Sequence, residues 1–427
     1  MQKYVINGGN LLKGCINISG SKNAALPLLI ASILIRGKTT FFNIPDLMDV
    51  STLIELLEYT GANVIYDKNT KVAVIDSSNV SRHKVPYELV KKMRASFIIA
   101  GPLLAIFKRA SVSLPGGCAI GTRPVDIHLK SFEKMGIKYK NYRGYINLLY
   151  TDYKNTADCE ILFDFPSVGA TQNIIMTAVI GKRTVRVINF AKEPEVTALI
   201  DFLNKAGADI SIDSSGELVI KGVDSLKSEV SFENIPDRIE AGTFMLLPAV
   251  SLPGSEIKLN NINPSHLRNI IEKLVEAGLQ VGVGEKTINI RFTDKKNPIK
   301  FSTGPHPGFP TDMQAQFCSA LSLSTGMSIV EECVFENRFM HIPELVRMGA
   351  DISVENNTAF IKGVKKLYGA SVMASDLRAG AALVLAGLAA SGTTDVSRIY
   401  HIDRGYENFE LKLAGVGADI KRVSVDK

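Results

Sequence analysis

The segment from Ser113 to His128 holds the residues of this 427-residue chain whose types and spacing best suit chemistry. It reads Ser-Leu-Pro-Gly-Gly-Cys-Ala-Ile-Gly-Thr-Arg-Pro-Val-Asp-Ile-His, and its proline and glycines predict a loop that carries Cys118. Arg123 follows close behind, and a guanidinium near a thiol favours the thiolate, which is the better nucleophile. A glycine turn with an ordinary surface cysteine fits the composition equally well, so the rest of the chain must decide between the two.

Charged side chains also occur where buried helices are predicted to begin. Lys22, Arg94, Asp312 and Arg378 occupy such positions, and the free N–H groups of a helix N-terminus favour bound anions. Two of them have a simpler explanation too. Asp312 could merely cap its helix, and Lys22 could be a solvated surface charge.

The composition is typical of a globular protein, and its charge favours small anionic substrates. Hydrophobic residues make up 46% and charged residues 22%, and the net charge of +6 is mild and not clustered, which disfavours a nucleic-acid surface. The longest apolar run, residues 95–107, is too short to cross a bilayer. No signal peptide opens the sequence, and the five cysteines show neither disulfide nor zinc spacing, so we expect a cytoplasmic protein without a metal.

The chain repeats itself six times. Six amphipathic stretches each end at a glycine that is followed by a short strand, and the intervals between these glycines are 75, 71, 71, 71 and 68 residues. The predicted helices cover Leu53–Thr60, His128–Met135, Val196–Ala206, Leu267–Ala277, His341–Met348 and Tyr406–Val416. Each repeat also contains β-branched strands and a second, more apolar helix. The repeat is therefore a β-rich unit with one exposed and one buried helix.

The sixth repeat ends early, and the N-terminus supplies a matching piece. Val5-Ile-Asn-Gly resembles Val219-Ile-Lys-Gly and Phe360-Ile-Lys-Gly in later repeats. We therefore predict one three-repeat domain over residues 22–234 and another over residues 1–21 plus 235–427. The chain would cross between them near residues 20–22 and 234–237, and two crossings predict a hinge over a cleft.

With six such units, the chain resembles the enolpyruvyl transferases over its full length. Members of that family are α/β proteins built from two inverse α/β prism domains, each with three repeats around buried helices. The resemblance rests on Ser21-Lys-Asn-Ala-Ala-Leu-Pro, Leu114-Pro-Gly-Gly-Cys-Ala-Ile-Gly-Thr-Arg-Pro-Val-Asp-Ile-His, Pro305-His-Pro-Gly-Phe-Pro-Thr-Asp-Met-Gln-Ala-Gln, Phe335-Glu-Asn-Arg-Phe-Met-His and His401-Ile-Asp-Arg-Gly-Tyr-Glu. The Cys118 segment is specific to the branch that acts on UDP-N-acetylglucosamine.

The resemblance implies a reaction. The enzyme would transfer the enolpyruvyl group of phosphoenolpyruvate to the 3′-hydroxyl of UDP-N-acetylglucosamine and release phosphate, the first committed step of peptidoglycan precursor synthesis. The addition and elimination need a base, an acid and positive charge, but no cofactor or metal. Fosfomycin would alkylate Cys118.

The resemblance also implies roles for individual residues. Cys118 would be the acid and the site of the covalent adduct, and Asp312 would be the base that contacts the sugar hydroxyl. Phosphoenolpyruvate would be held by Lys22, Asn23, Arg123, Arg378 and Arg404, with Lys22 and Arg404 also counted as catalytic. UDP-N-acetylglucosamine would contact Arg94, Arg123, Pro124, Val125, Asp126, Ile127, Ser167, Val168, Gly169, Asp312 and the main chain of Val334. Apart from the resemblance, His128 and His306 could orient neighbours or could equally be structural histidines.

The sequence leaves two alternative functions to consider. The 3-phosphoshikimate branch shares the fold and reaction type, but its Ser-Lys-Ser and Asn-Ala-Gly-Thr-Ala motifs are absent from this sequence. A catalytically inactive protein that binds anionic ligands would have lost a residue such as Cys118, Lys22 or Arg404, and all three are present. Arg404 could also serve only in a surface ion pair with Asp403.

The repeats sharpen the interpretation of the loop. From Ser113 to Gly136 the chain runs 23 residues, a few more than the corresponding connection in the other repeats. The segment around Cys118 therefore has the properties of a lid inserted into a repeated scaffold.

Overall fold

The computed structural model describes residues 2–90, 94–113, 125–292 and 295–424, and the side chains of residues 94–96 lie outside this description. Its strands are β1 Gln2–Asn7, β2 Lys13–Asn17, β3 Lys38–Phe42, β4 Asn63–Asp67, β5 Val72–Asp76, β6 Lys84–Val85, β7 Arg109–Ser113, β8 Ile137–Tyr142, β9 Tyr145–Tyr150, β10 Cys159–Leu162, β11 Thr184–Ile188, β12 Asp209–Ile212, β13 Leu218–Lys221, β14 Glu229–Glu233, β15 Glu256–Asn260, β16 Gln280–Val283, β17 Thr287–Arg291, β18 Lys300–Ser302, β19 Met327–Glu331, β20 Asp351–Glu355, β21 Thr358–Lys362, β22 Ser371–Met373, β23 Thr393–Ser397 and β24 Asp419–Ser424.

The α-helices in the same part of the chain are α1 Lys22–Ala31, α2 Met48–Thr60, α3 Tyr87–Val90, α4 Ala100–Phe107, α5 Asp126–Lys134, α6 Val168–Ala178, α7 Pro194–Lys205, α8 Arg238–Met245, α9 Arg268–Glu276, α10 Gln314–Leu321, α11 Ile342–Arg347, α12 Leu377–Ala389 and α13 Phe409–Ala414. Short 3₁₀ helices cover Ser32–Leu34, Arg94–Ile99, Leu247–Val250, Pro264–Leu267, Thr311–Met313 and Ile399–Arg404. Among the described residues, no helix has the length and apolar character that crossing a membrane requires.

The strands of the described residues form six four-stranded sheets with one shared pattern. In each sheet a parallel pair is followed by two antiparallel pairings, as in β10-β11-β13-β12 and β18-β19-β21-β20. This repeated topology matches the six repeats that the sequence predicts.

Two distant segments complete sheets that the local chain cannot fill. Strand β1 lies between β23 and β24, with Val5 opposite Asp395 and Lys421, so the N-terminus supplies the missing strand of the sixth sheet. Strand β2 pairs in parallel with β15, and β14 pairs in parallel with β3. The N-terminal segment therefore contributes one strand to each of two sheets of the last three repeats.

Each repeat places one helix outside and one inside. The outer helices α2, α5, α7, α9, α11 and α13 are followed by Gly61, Gly136, Gly207, Gly278, Gly349 and Gly417, whose φ angles lie between 83° and 108°, the left-handed conformation that stops a helix. The inner helices are buried on nearly every face; residues 378–388 of α12 are all buried. Glycine recurs after Ile-Lys because another backbone segment packs closely against it there. A Cβ atom on Gly363 would lie 1.7 Å from the Ser324 carbonyl oxygen.

The described residues divide into two compact units with separate apolar cores. One unit comprises the described residues 20–90, 94–113 and 125–235, and its core includes Leu28, Phe41 and Phe202. The other comprises residues 2–19 and 236–424, and its core includes Phe244 and Phe409. The chain passes between the units at Ser19–Gly20 and at Ile235–Pro236. A hinge at these crossings stays a prediction.

Candidate functional site

The Asp312 carboxylate accepts hydrogen bonds from two buried arginine side chains. Its Oδ1 accepts a hydrogen bond from Arg338 Nη2 at 2.7 Å, and its Oδ2 accepts one from Arg378 Nη2 at 2.9 Å. The arginine side chains are 4% and 5% exposed, whereas the Asp312 side chain is 27% exposed. Charge-assisted bonds of this kind fix the anion firmly while part of it still faces solvent.

The simpler explanation for Asp312, a helix cap, is wrong. The 3₁₀ helix Thr311–Met313 begins after Pro310, and no side chain caps it. The carboxylate instead binds residues from a distant loop and a distant helix.

Arg378 is positioned by its own helix start and by an aromatic ring. The Asp376 side chain caps α12 and accepts the Arg378 backbone N–H at 2.8 Å. The guanidinium carbon lies 5.5 Å from the centre of the Tyr406 ring, at cation–π distance. Burial by itself lowers the pKa of Arg378, but the Asp312 charge, the Tyr406 hydroxyl and the Asp237 charge together outweigh burial and raise the pKa above its ordinary value. Arg378 therefore stays charged.

Buried amide and hydroxyl groups support the same pair. Gln316 Nε2 donates to the Asp312 carbonyl oxygen at 2.9 Å and lies 3.2 Å from the Tyr406 hydroxyl, which also meets Thr243 Oγ1 at 2.8 Å. Both the backbone and the side chain of Asp312 are thus held by fixed partners.

Arg404 lies at the end of the 3₁₀ helix Ile399–Arg404, two residues before Tyr406. Asp403, which the sequence offered as a partner for Arg404, binds Arg422 through both carboxylate oxygens, at 2.6 and 3.0 Å. Arg404 therefore lies in the same short segment as Tyr406, whose ring contacts the Arg378 guanidinium.

Val334 follows β19 in a loop of the same unit. Its backbone N–H donates to the Glu332 carboxylate at 2.9 Å, so a main-chain contact to a ligand falls to its carbonyl oxygen.

Lys22 opens α1 in the other unit and forms a buried ion pair. Its Nζ lies 3.1 Å from Asp49 Oδ2, and the two side chains are 12% and 6% exposed. Ser21 caps the helix through a bond from the Ala24 N–H, and Asn23 lies in the first turn. The explanation of Lys22 as a solvated charge is therefore wrong.

Two further helix starts of that unit carry predicted contacts to the nucleotide sugar. Val125 is the N-cap residue of α5, whose first turn contains Asp126 and Ile127. Ser167 caps α6 through the Ala170 N–H, and Val168 and Gly169 form its first turn.

His128 of α5 and Gly169 of α6 lie next to each other. A Cβ atom on Gly169 would come within 3.2 Å of the imidazole ring. Asn173 Oδ1 accepts the Gly101 N–H, so its amide nitrogen is the group that meets His128 Nδ1 at 2.8 Å and must donate there. Burial lowers the pKa of His128 to about 4. The imidazole is therefore neutral, with its proton on Nε2.

Several predicted residues are not placed by this description. Cys118, Arg123 and Pro124 lie outside the described residues, and Arg94 is described only as the first residue of the 3₁₀ helix Arg94–Ile99. His306 precedes Pro307 in the loop between β18 and Thr311.

The cysteines of the described residues, Cys15, Cys159, Cys318 and Cys333, are free thiols. Burial raises the pKa of Cys159, Cys318 and Cys333. A raised pKa makes a thiol a poor nucleophile at neutral pH, so these three are unsuited to covalent chemistry.

Sequence reasoning missed four residues that contact predicted site residues within their own unit: Arg338, Asp49, Asn173 and Tyr406. Arg338 and Tyr406 fall inside segments on which the family resemblance rests, but their partners lie far away in the chain. Asp49 offered no signal beyond a carboxylate in the first turn of a helix.

The chain is similar to known proteins over nearly its whole length. The family model described as EPSP synthase (3-phosphoshikimate 1-carboxyvinyltransferase) matches residues 6–413. A protein of Desulfosudis oleivorans named UDP-N-acetylglucosamine 1-carboxyvinyltransferase is 49% identical over 99% of this chain and 100% of its own length. A protein of Carboxydothermus hydrogenoformans named UDP-N-acetylglucosamine 1-carboxyvinyltransferase 2 is 48% identical, with the same coverage.

Solved structures agree on the fold. The enolpyruvyl transferase NikO from Streptomyces tendae superposes with a TM-score of 0.89 at 24% identity, covering 100% of this chain and 99% of NikO. An EPSP synthase from Acinetobacter baumannii gives a TM-score of 0.78 at 16% identity, covering 99% of this chain and 100% of that one. These structures confirm the fold class that the repeats and motifs predict. Because the family model matches residues 6–413 and the named relatives are 48–49% identical over 99% of its length, the chain belongs to the enolpyruvyl transferase family.

Proposed function

We propose that this chain transfers the enolpyruvyl group of phosphoenolpyruvate to the 3′-hydroxyl of UDP-N-acetylglucosamine and releases phosphate. The observation that carries the proposal is the Asp312 carboxylate, held by buried Arg338 and Arg378 and partly open to solvent, in a chain whose full-length relatives bear that enzyme's name. The reaction would supply a precursor of peptidoglycan, in the cytoplasm.

Asp312 acts on the alcohol. A carboxylate offers about four lone-pair directions, and the Asp312 side chain is 27% exposed, so a hydroxyl donor can approach it beside the two guanidinium groups. Arginines that hold the carboxylate in its charged form also make it a weak base, so the hydroxyl is oriented first and loses its proton as it attacks. Exclusion of water from the closed site would strengthen this step.

Lys22, Asn23, Arg123 and Arg404 bind phosphoenolpyruvate. The start of α1 combines the backbone N–H groups of a helix N-terminus with the Lys22 ammonium, a combination that suits a phosphate or a carboxylate. Arg378 was predicted to join this set. We now assign it first to Asp312, and its contact to phosphoenolpyruvate stays a proposal from the family resemblance.

UDP-N-acetylglucosamine lies along the starts of α5 and α6, on Val125, Asp126, Ile127, Ser167, Val168 and Gly169, with Arg94, Arg123 and Pro124. The Nε2–H of His128 belongs to the same region, since its ring lies against Gly169. Asp312 and the Val334 carbonyl contact the acetylated sugar.

Cys118 donates the proton that the methylene carbon of phosphoenolpyruvate receives, and its thiolate is the target of fosfomycin. Arg123 lies near enough in the sequence to favour the thiolate form.

Phosphate release tests the proposal. Purified protein should release phosphate from phosphoenolpyruvate only when UDP-N-acetylglucosamine is added, and mass spectrometry should find the enolpyruvyl ether of the nucleotide sugar. Release that depends on 3-phosphoshikimate instead would assign the chain to the other branch. Tight binding of both compounds without release would indicate the inactive paralogue.

A further inference from the structure

The loop that follows β19 carries a buried carboxylate to which no role has been given. Glu332 is 3% exposed, and the loop runs on through Val334 and Phe335 to Arg338. Burying a carboxylate is costly unless hydrogen bonds replace its water, so its partners reveal what it organises.

The partners of Glu332 belong to two segments. The Thr311 hydroxyl lies 2.9 and 2.8 Å from the two carboxylate oxygens. On the other side, the backbone N–H groups of Val334 and Phe335 donate to Oε1 at 2.9 and 3.0 Å. The carboxylate therefore ties the Val334 loop to the turn that contains Thr311.

Arg338, at the other end of the loop, binds Asp312, which follows Thr311 in the turn. Arg338 donates to Asp312, and its guanidinium carbon lies 5.3 Å from the centre of the Phe335 ring. Glu332 and Arg338 thus hold the neighbouring residues Thr311 and Asp312 from the two ends of one loop. Because Asp312 and Val334 are the proposed contacts to the acetylated sugar, this double attachment fixes one contact relative to the other.

We propose that Glu332 is a positioning residue that sets the Asp312 carboxylate and the Val334 carbonyl at the spacing which the acceptor sugar requires. The inference rests on the proposed function, because it needs the sugar to contact both groups. It predicts an effect on the acceptor and not on phosphoenolpyruvate, whose proposed ligands Lys22 and Arg404 lie outside the loop.

Two variants test this role. Glu332→Ala should raise the KM for UDP-N-acetylglucosamine at least tenfold and lower kcat, with the KM for phosphoenolpyruvate changed less than twofold. Glu332→Gln should stay within about threefold of the parent, because its carbonyl can accept both N–H groups and its amide can donate to Thr311. Glu355→Ala, at an exposed strand end, is the matched control and should change neither constant.

Thr311→Val provides an independent test if Glu332→Ala fails to fold. It removes only the hydroxyl from the attachment and should raise the same KM severalfold, with UDP-N-acetylglucosamine affinity by calorimetry falling in parallel. An equal loss for both substrates, or no loss in either variant, would overturn the inference. A parent protein that shows no acceptor-dependent phosphate release would instead overturn the proposed function.

Discussion

The Nη2 atom of Arg378 lies 2.9 Å from Oδ2 of Asp312, although 66 residues separate them in the chain. They occupy the starts of the inner helices of consecutive repeats, and the Ser319 hydroxyl bonds to the Ala382 carbonyl where α10 packs on α12. Repeated packing thus brings equivalent helix starts together, and unlike charges at those starts create the pair.

Asp312→Asn tests the anion itself. The amide keeps the shape but leaves two buried guanidinium groups without their counter-charge, and kcat should fall by about 10²-fold or more. Phosphate release at saturating substrates measures this loss. Asp351→Asn, which removes an exposed carboxylate 3.9 Å from Lys362, is the control and should leave kcat unchanged. Full activity of Asp312→Asn would exclude Asp312 from the chemistry.

Lys22→Met tests the buried pair of the other unit. It removes the positive charge that faces the buried Asp49 carboxylate, so the protein should lose about 3 kcal/mol of unfolding free energy, and the KM for phosphoenolpyruvate should rise strongly. Denaturant unfolding and steady-state kinetics measure the two effects. Lys68→Met breaks a similar but more exposed pair with Asp46, and its cost should stay below about 1 kcal/mol. Equal costs for the two variants would contradict the assignment of Lys22 to a buried site.

Cys118→Asp tests the reactive thiol. The aspartate keeps a proton donor in the loop but offers no sulfur to fosfomycin, so turnover should persist while covalent labelling disappears from the intact mass. In the parent protein, peptide mapping should place the label on Cys118 and not on the exposed thiol Cys15, while burial raises the pKa of Cys159, Cys318 and Cys333 and makes them poor nucleophiles. Undiminished labelling of the variant would assign the alkylation to another residue.

Glu240 makes stability depend on pH. Burial raises its pKa to about 7, and Lys412, whose Nζ lies 2.7 Å from Oε1, only partly offsets this effect. The folded protein therefore binds a proton that the unfolded chain has lost between about pH 4.5 and 7. This group's contribution is fully present below that range, and the unfolding free energy should fall by about 3 kcal/mol as pH rises through it.

Glu240→Gln isolates this contribution, because the amide cannot titrate. The difference in unfolding free energy between the parent and Glu240→Gln should change with pH over the same range, measured by denaturant unfolding at several pH values. Glu355→Gln is the exposed control, with a difference that should stay flat. A pH-independent difference for Glu240→Gln would show that the carboxylate does not take up the proton.

The sequence by itself determined the repeated architecture. A glycine that stops a helix, a polar residue that starts one and an alternating apolar strand act over a few residues, so six copies of the pattern could be read directly. The positive φ angles of Gly61 and Gly417 and the side-chain caps at Ser21 and Asp376 are the structural counterparts of those local signals. The family motifs then named Asp312, Lys22 and Val334 without showing what surrounds them.

Only the tertiary structure decided which charges meet. The pairing of Asp312 with Arg338 and Arg378, of Lys22 with Asp49 and of Glu332 with Thr311 depends on which helix turns face one another after packing, and no spacing in the chain encodes that. The N-terminal strands show the same division. Their resemblance to later repeats predicted ring closure, but hydrogen bonding between strands hundreds of residues apart placed β1 in one sheet and β2 in another. Local patterns specify elements because they act through neighbouring residues, whereas a site arises from contacts that exist only once those elements are packed.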